Sequence, residues 1–310
     1  MQKELSQVCV FYALTPVHAG SGQAIGAVDL PIQRERHTQW PQVQASGVKG
    51  AFRDWFYRYY LHNGSDTPEG ERQCQQLTER IFGQAEEGEG QEGKAGQAGA
   101  LAFTDARLLA FPVRSQVAPF VWVTCPAVLT RLQRDLKLTS LGLEVPAGAP
   151  QNPDGFVAVR GDFQEKAVIL EDLAVTREES THGEQLAPIF QQLAPQADRL
   201  LLISDQRFSF LVRTATEVQA QIAIDPATGT TKNGSLRYQE LLPADSVLYT
   251  LVFISGERTA KENGRLLPEV IKDCLCRAVS THLRMGGDLT LGRGLMEVRW
   301  LPENSAGGAP

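Results

Sequence analysis

One aspartate, Asp29, lies inside an otherwise apolar pentapeptide, Val28-Asp29-Leu30-Pro31-Ile32, just after a glycine-rich stretch. A carboxylate in such a loop can bind a divalent cation or accept a proton, and either role would suit a phosphodiester placed beside it. The alternative is a plain turn residue that pairs with Arg34 or Arg36 in the charged cluster that follows. No second carboxylate lies close in sequence, so this segment does not by itself indicate a two-metal site.

A second reactive group near Asp29 is His18, at the start of the glycine stretch. Histidine can act as a general base near neutral pH, although a single loop histidine is more often structural or incidental. The other histidines show no metal-ligand spacing. The five cysteines are scattered and form no C-x-x-C pair, so neither a zinc site nor a disulfide framework is indicated.

Two cations could bind an anion. Lys49 and Arg53 are four residues apart, so they share one face of a predicted helix near its N-terminus. The free N–H groups and positive dipole of that end suit a phosphate, and Ser46 is the predicted N-cap. For two charges alone, a solvated basic face is the alternative.

The second glycine-rich stretch contains Gly286, Gly287, Gly292, Arg293 and Gly294. It follows a predicted helix and precedes a predicted strand, which reverses the order of Rossmann and P-loop motifs, and no Gly-Lys-Ser/Thr is present. Clustered glycines let a backbone approach a polyanion closely, and Arg293 adds positive charge. The alternative is a tight turn that requires positive φ angles.

These candidate residues need a framework, and the sequence predicts two β–α units separated by long insertions. Alternation of apolar and polar residues predicts a hairpin over 217–241, with a turn at 225–229. The pattern favours an α+β fold with a mixed or antiparallel sheet. The predicted helices cover 46–61, 126–136, 266–285 and a short segment near 208–212. The predicted strands cover 7–14, 101–111, 200–205, 247–254, 295–300 and several short stretches within 156–175.

Composition narrows the class of protein. Of 310 residues, 42% are hydrophobic, so a large core is possible and global disorder is excluded. The net charge of −6 argues against binding of nucleic acid through bulk charge, but a local basic groove can coexist with an acidic exterior. We expect a reducing cytoplasm, no signal peptide and no membrane span. We also expect a flexible acidic, glycine-rich insertion at 84–99 and a frayed tail at 303–310.

Five segments together resemble a known family. They are LTPVHAGSGQAIGAVDLPIQRERHT, SGVKGAFRDW, GALAFTDARLLAFPVRS, ATEVQAQIAIDPATGTTKNGSLRYQELLPADSVLY and GGDLTLGRGL. In order, they resemble the signature segments of the RAMP superfamily, and more narrowly the repeated backbone subunits of type III-B CRISPR (Cmr) effector complexes. The resemblance spans nearly the whole chain, which predicts a single RAMP domain over 1–310. The 84–99 insertion is least like the family.

The resemblance implies a ferredoxin-like (RRM-like) core with a protruding β-hairpin thumb, here about 216–243. It implies that several copies stack in a helical filament along a CRISPR guide RNA, together with other Cmr complex subunits. It also implies cleavage of a complementary single-stranded target RNA at regular six-nucleotide intervals, because each copy supplies one site. Sequence recognition would be left to base pairing.

The resemblance also assigns residues. The cleaving aspartate of the family lies where Asp29 lies here, and the start of the first helix, with Ser46 and Lys49, contacts the guide backbone. The glycine loop 286–294 lies against the same RNA, while His18 and Glu240 are weaker candidates for assisting the reaction. A thumb that separates base pairs would splay a nucleotide into in-line geometry for attack by its 2′-hydroxyl. A divalent metal ion, Mg or Mn, bound at Asp29 would neutralise the developing charge.

Two other functions remain open at this point. The chain could be a non-cleaving guide-RNA-binding scaffold in the same kind of filament, with Asp29 purely structural. It could also be a standalone guide-processing endoribonuclease that uses His18 as its base.

Overall fold

The computed structural model describes residues 4–23, 26–64, 66–84, 96–258 and 264–302. The helices in these ranges are α1 (Ala45–His62), α2 (Pro68–Phe82), α3 (Pro126–Leu136), α4 (His182–Leu193), α5 (Asp205–Thr214) and α6 (Pro268–Ala278), with one 3-10 turn at Leu289–Leu291. The strands are β1 (Leu5–Ala13), β2 (Gln42–Val43), β3 (Gly83–Gln84), β4 (Gln97–Ala98), β5 (Leu101–Phe103), β6 (Ala106–Arg114), β7 (Phe120–Thr124), β8 (Gly155–Arg160), β9 (Ala167–Leu170), β10 (Leu173–Arg177), β11 (Leu200–Ile203), β12 (Glu217–Gln221), β13 (Arg237–Leu241), β14 (Val247–Ile254), β15 (His282–Arg284) and β16 (Leu295–Leu301).

Most strands belong to one twelve-stranded mixed sheet with the main order β15-β16-β1-β14-β6-β7-β11-β8-β10-β9. The pairings that join β16, β1, β14 and β6 are all antiparallel, and β7–β11 and β8–β10 are parallel. In sequence, α1 lies between β1 and β6, and α6 lies between β14 and β16. The predicted α+β class with a mixed sheet is confirmed.

Central strands are apolar along their length because both of their faces are covered. Strand β14 reads VLYTLVFI and is buried at every position except Phe253, which is half-buried. A strand that is solvated on one face would instead alternate apolar and polar residues. This continuous apolar run is why the sequence alone locates β14 at its observed bounds.

Helix α1 is fixed against the sheet by Phe52, which is fully buried. Its ring centroid lies 6.1 Å from that of Phe11 in β1, 4.9 Å from that of Phe103 in β5 and 5.8 Å from that of Trp300 in β16. Tilted and edge-to-face arrangements at these distances are favourable for aromatic rings. The contacts hold α1 rigidly, so the residues at its N-terminus have a fixed position beside the sheet.

Four features differ from the prediction. The 266–285 helix ends at Ala278, because Leu283 and Met285 alternate with polar residues and His282–Arg284 pairs with β16. The predicted 101–111 strand is two strands, β5 and β6. Helices α2 and α4 lie in regions without a predicted helix. The 217–241 hairpin forms as predicted, with β12 antiparallel to β13.

The ends of the 84–99 segment form a two-stranded pairing, β3 with β4, and its flexibility stays a prediction. Residues 85–95 of that segment, and the predicted frayed tail 303–310, lie outside the described residues. None of the helices in the described ranges has the length and apolar character that crossing a lipid bilayer requires.

Candidate functional site

The loop that carries Asp29 leaves β1 and folds back on itself. Its two arms are joined by backbone hydrogen bonds from the Gln33 amide to the Ala19 carbonyl (2.7 Å) and from the Ser21 amide to the Pro31 carbonyl (3.0 Å). Residues 24 and 25 lie outside the described residues. Asp29 lies past the tip of this loop and is exposed. The carboxylate is therefore displayed to solvent by a loop whose base is held closed.

Asp29 is attached to the base of the 217–241 hairpin. Its amide donates to the Tyr238 carbonyl (3.0 Å), and the Leu30 amide donates to the same oxygen (3.1 Å). In return, the Tyr238 amide donates to Asp29 Oδ2 (2.7 Å). The carboxylate forms no ion pair with any described residue, so the predicted alternative of a pair with Arg34 or Arg36 is wrong. One carboxylate oxygen orients the side chain and the other is left for chemistry.

Glu240, two residues further along β13, is buried and fully engaged. Its Oε1 accepts hydrogen bonds from Arg34 (2.6 Å) and from the Thr216 hydroxyl (2.7 Å), and its Oε2 accepts one from the Ile32 amide (3.1 Å). Only 7% of the residue is exposed. An assisting role of Glu240 in catalysis stays a prediction, and this geometry favours a positioning role, since the residue ties the Asp29 loop to the hairpin.

Gln239 faces the other way, as alternate residues of a strand do. Its amide nitrogen donates to Asp288 Oδ2 (2.6 Å), and its amide oxygen accepts from Arg293 Nη1 (2.6 Å). Arg293 also donates to Asp288 (3.2 Å) and to Gln219 in β12 (2.8 Å). Arg293, predicted to bind RNA, therefore links the C-terminal glycine loop to both strands of the hairpin base. Its side chain is only 11% exposed.

The two glycine-rich loops, far apart in sequence, lie against each other. The Gly287 amide donates to the His18 carbonyl (2.8 Å), and the Gly294 amide donates to the Pro16 carbonyl (2.9 Å). At Gly286, where φ is +95°, an added Cβ would lie 2.7 Å from the His18 carbonyl oxygen. A side chain cannot fit at this position without moving backbone. Gly292, with φ +77°, follows the 3-10 turn, and a Cβ there would meet nothing.

His18 is held between these loops with its tautomer defined. Its Nδ1 lies 2.9 Å from the Glu240 carbonyl oxygen, which can only accept, so Nδ1 carries the proton. The neutral ring therefore has its free lone pair on Nε2. A Cβ added at Gly20 would lie 2.8 Å from Nε2, so that nitrogen faces a residue without a side chain. This arrangement leaves Nε2 able to accept a proton.

Three consecutive residues of β13, Tyr238, Gln239 and Glu240, hold the predicted site residues close together through hydrogen bonds. We call these three residues the thumb base. Tyr238 holds Asp29, Gln239 holds the loop that contains Arg293, and Glu240 holds His18. Residues two apart in a strand are separated by about 7 Å, so Asp29 and His18 are attached to neighbouring points. The sequence did not single out Tyr238 or Gln239, because backbone hydrogen bonds and a side-chain amide that bonds to another loop leave no pattern in sequence.

The N-terminus of α1 joins the same region through Gln33, whose Oε1 accepts from the Gln44 amide (2.7 Å). The helix begins at Ala45, one residue before the predicted start, and Gln44 is the N-cap. The prediction that Ser46 caps the helix is wrong, because Asp105 accepts from the Ala45 amide (2.8 Å) instead. Ser46 is exposed in the first turn.

The predicted cations, Lys49 and Arg53, lie on the same face of α1, as expected. Arg53 donates to the Gly83 carbonyl (2.6 Å). Partial burial lowers the pKa of the Lys49 ammonium below its ordinary value, and the positive charges of Arg53 and Arg258 lower it further. Lys49 forms no ion pair with any described residue. A cation that is desolvated and surrounded by like charge is stabilised by an incoming anion.

The described residues contain no group of three or more side chains that could bind a metal ion together. Asp29 offers one free carboxylate oxygen. Mg²⁺ commonly uses one or two carboxylates and completes its shell with water and substrate phosphates. The described residues therefore offer a divalent ion one protein ligand here, the Asp29 carboxylate.

Comparison with known proteins places this geometry in context. The model of the RAMP superfamily matches residues 10–297. A protein of Pyrococcus furiosus named CRISPR system Cmr endoribonuclease Cmr4 is 32% identical over 305 residues, covering 96% of each chain. The crystal structure of oligomeric Cmr4 from Pyrococcus furiosus aligns with a TM-score of 0.66 at 24% identity, over 95% of this chain and 97% of that one. A chain of the type III-B Cmr-beta complex bound to cognate target RNA aligns with a TM-score of 0.69 at 20% identity, over 96% and 97%.

Proposed function

The chain belongs to the RAMP superfamily, and from this premise we propose that it is the repeated backbone subunit of a type III-B CRISPR effector. In this role it binds guide RNA and cleaves complementary single-stranded target RNA at six-nucleotide intervals. Its partners are further copies of itself in a helical filament and other Cmr subunits, and its location is the cytoplasm. The observation that carries the proposal is the thumb base, which attaches Asp29, His18 and the C-terminal glycine loop to the root of one protruding hairpin.

The fold proposed for the core is ferredoxin-like. Its support is the spatial order β16-β1-β14-β6 in the sheet. Along the chain, the same four strands follow one another as β1, β6, β14 and β16. The order is therefore fourth, first, third, second, with α1 and α6 as the two crossover helices. This is the β-α-β-β-α-β pattern of that motif. Of the other strands of the sheet, β7 to β11 come from the long insertion between β6 and β14.

The hairpin is suited to separating stacked bases. Its exposed side chains include several apolar ones: Val218, Ile222, Ile224, Leu236 and Tyr238, each at least 43% exposed. Apolar wedges of this kind unstack nucleic-acid bases at a cost of about a few kcal/mol per step. Since Asp29 is bonded to Tyr238 at the root of the wedge, a nucleotide displaced by the hairpin would have its phosphodiester close to the carboxylate.

The reaction proposed is attack of the 2′-hydroxyl oxygen on the adjacent phosphorus, with departure of the 5′-oxygen. It yields a 2′,3′-cyclic phosphate and a 5′-hydroxyl, because the departing 5′-oxygen takes a proton from water. Two groups could take the proton from the 2′-hydroxyl: the free Asp29 oxygen, or His18 through Nε2. A divalent ion held by Asp29 and the RNA, Mg or Mn, would supply charge neutralisation when bound. Positioning of the splayed linkage in line contributes much of the rate.

The test is replacement of Asp29 by Asn in the complex reconstituted with guide RNA. The Asn side-chain oxygen still accepts the Tyr238 amide hydrogen bond, so the latch is kept while the charge is lost. We expect assembly on guide RNA to be unchanged and cleavage to fall by about 10²–10⁴-fold. Denaturing gels of end-labelled target RNA give the product lengths, with and without chelator. The control is Asp172→Asn in the exposed turn between β9 and β10.

Three outcomes separate the possibilities. Bands six nucleotides apart in wild type, lost in Asp29→Asn, support the proposal. A wild-type complex that assembles but leaves the target intact supports the scaffold, for which the Tyr238 latch on Asp29 would be the whole role of that residue. Cleavage of guide precursor by the isolated chain, abolished by His18→Ala, would overturn the proposal in favour of the processing enzyme.

A further inference from the structure

One face of α1 combines polar residues with an unexplained glycine. Ser46, Lys49, Gly50 and Arg53 occur at i, i+3, i+4 and i+7, so they form one stripe along the helix, which we call the cationic stripe. Gly50 is exposed inside the helix, and a Cβ added there would meet no atom of the described residues within 4 Å. Glycine in a helix costs about 1 kcal/mol relative to alanine. The contacts of the described residues do not require this glycine, and it leaves the helix surface open at this point.

A second element is brought to the stripe by a chain of backbone contacts. Arg53 donates to the Gly83 carbonyl, and β3, which contains Gly83, pairs with β4. Just beyond β4, the Ala100 amide donates to the Ile81 carbonyl (2.8 Å), and the Ser255 amide donates to the Ala100 carbonyl (2.9 Å). The segment after β14 is therefore joined through Ala100 to Ile81, two residues before the Gly83 that accepts from Arg53.

That segment is clasped in place before it reaches the stripe. Glu257, 4% exposed, accepts two hydrogen bonds from Arg80 of α2, at 2.8 Å and 2.6 Å. The Glu257 and Leu266 backbones are also bonded, since the Glu257 amide donates to the Leu266 carbonyl (3.0 Å). A bidentate Arg–carboxylate pair fixes both position and direction. Glu257 thus directs the next residue, Arg258, which is exposed.

Arg258 adds positive charge where the stripe already has it. The pKa of the Lys49 ammonium is lowered first by burial, then by the charge of Arg53, and then by the charge of Arg258. Neither Lys49 nor Arg258 forms an ion pair with any described residue. Three like charges without a counter-ion among the described residues are unfavourable unless a polyanion neutralises them.

We infer that Arg258 is a phosphate-binding residue that, with Lys49 and Arg53, grips the sugar-phosphate backbone of the guide RNA, while Gly50 lets that backbone touch the helix. The inference rests on the proposed function and extends it, since nothing in the motif pattern of the sequence points to Arg258. The ligand is a run of consecutive phosphates, not a base, so the contact is independent of sequence.

The test measures binding of the full chain to a guide-length single-stranded RNA across a salt series. For Arg258→Gln, we expect about a fivefold loss of affinity and a slope of log K against log salt that is shallower by about 0.7. Arg258→Lys keeps the charge and should keep most of the affinity. The matched control is Arg58→Gln, which removes an exposed arginine paired with Asp54 elsewhere on α1.

Gly50→Gln tests the close approach independently. Glutamine is a good helix former and Gly50 is exposed, so we expect the melting temperature to be unchanged or raised while RNA affinity falls. A variant with raised stability and unaltered affinity would refute the role of Gly50.

The proposed function and the role of Arg258 can be refuted separately. If wild type binds no RNA, the proposed function is wrong. If wild type binds RNA but Arg258→Gln behaves like Arg58→Gln, the proposed function stands and the inference about Arg258 is overturned.

Discussion

Cations near the thumb base and cations on the cationic stripe differ in whether they have an ionic partner. At the thumb base, Arg34 and Arg293 donate to Glu240, Gln239 and Asp288, and their side chains are 15% and 11% exposed. On the stripe, Lys49 has no ionic partner among the described residues. Arginines whose donors are satisfied internally hold a structure together, whereas cations left unsatisfied are available to a ligand. The type of residue alone does not distinguish the two.

If this comparison is right, mutations at the thumb base should cost stability, and mutations on the stripe should cost RNA affinity. The largest loss of stability is expected for Glu240→Gln, which leaves the Arg34 charge without its carboxylate. Removing one partner of a buried ion pair costs about 3–5 kcal/mol. Urea unfolding followed by circular dichroism measures the change. Glu69→Gln, whose exposed partner is Arg72, should change the free energy of unfolding by less than about 0.5 kcal/mol. Equal effects at the two positions would break the comparison.

Gly286→Ala should have the next largest effect, about 2–3 kcal/mol, because it combines positive φ with a clash against the His18 carbonyl. Gly229→Ala, at the hairpin tip, is the control: its φ is +69°, but an added Cβ meets nothing. It should cost only about 1 kcal/mol, from φ alone. The difference in unfolding free energy between the two variants measures how tightly the two glycine loops are packed. Identical losses would show that the loops are not in close contact.

The smallest effect concerns the ion pair between Arg80 and Glu257, which we call the clasp, and this effect depends on pH. The hydrogen bonds from Arg80 lower the pKa of the Glu257 carboxyl below its ordinary value of 4.5. A carboxyl with a lowered folded pKa stabilises the protein above its unfolded pKa, and that stabilisation is lost as the pH falls through the folded pKa. Arg80→Gln should therefore be less stable than wild type by about 1–2 kcal/mol near neutral pH. The difference in free energy of unfolding should shrink below pH 4.5. A difference that stays constant down to pH 3 would contradict the clasp.

Local sequence patterns predict many of the helices and strands of this molecule. The continuous apolar run of β14, the alternation in β12 and the apolar spacing of α1 all predict the observed elements, because burial imposes these patterns directly. Asp29 was also recognisable, as a carboxylate in an apolar loop and through the family resemblance.

Contacts between distant residues were not predictable in the same way. Ser46 is not the cap, because Asp105, sixty positions after Ala45, accepts from the Ala45 amide. Arg293 is recognisable in sequence as a cation, but its acceptors on β12 and β13 come from the folded chain. Arg258 was missed because nothing in its own segment is unusual; only the fold brings it to Lys49.

Because all anchoring contacts of the thumb base lie at the root of the hairpin, the residues between Gln221 and Arg237 are released from them. An even or odd change in the length of that outer part would alter how far the hairpin extends without touching Tyr238, Gln239 or Glu240. A shift of one residue within β13 itself would exchange the faces of Gln239 and Glu240 and detach both loops at once. The reach of the hairpin and the integrity of the reactive centre can therefore evolve, or be engineered, separately.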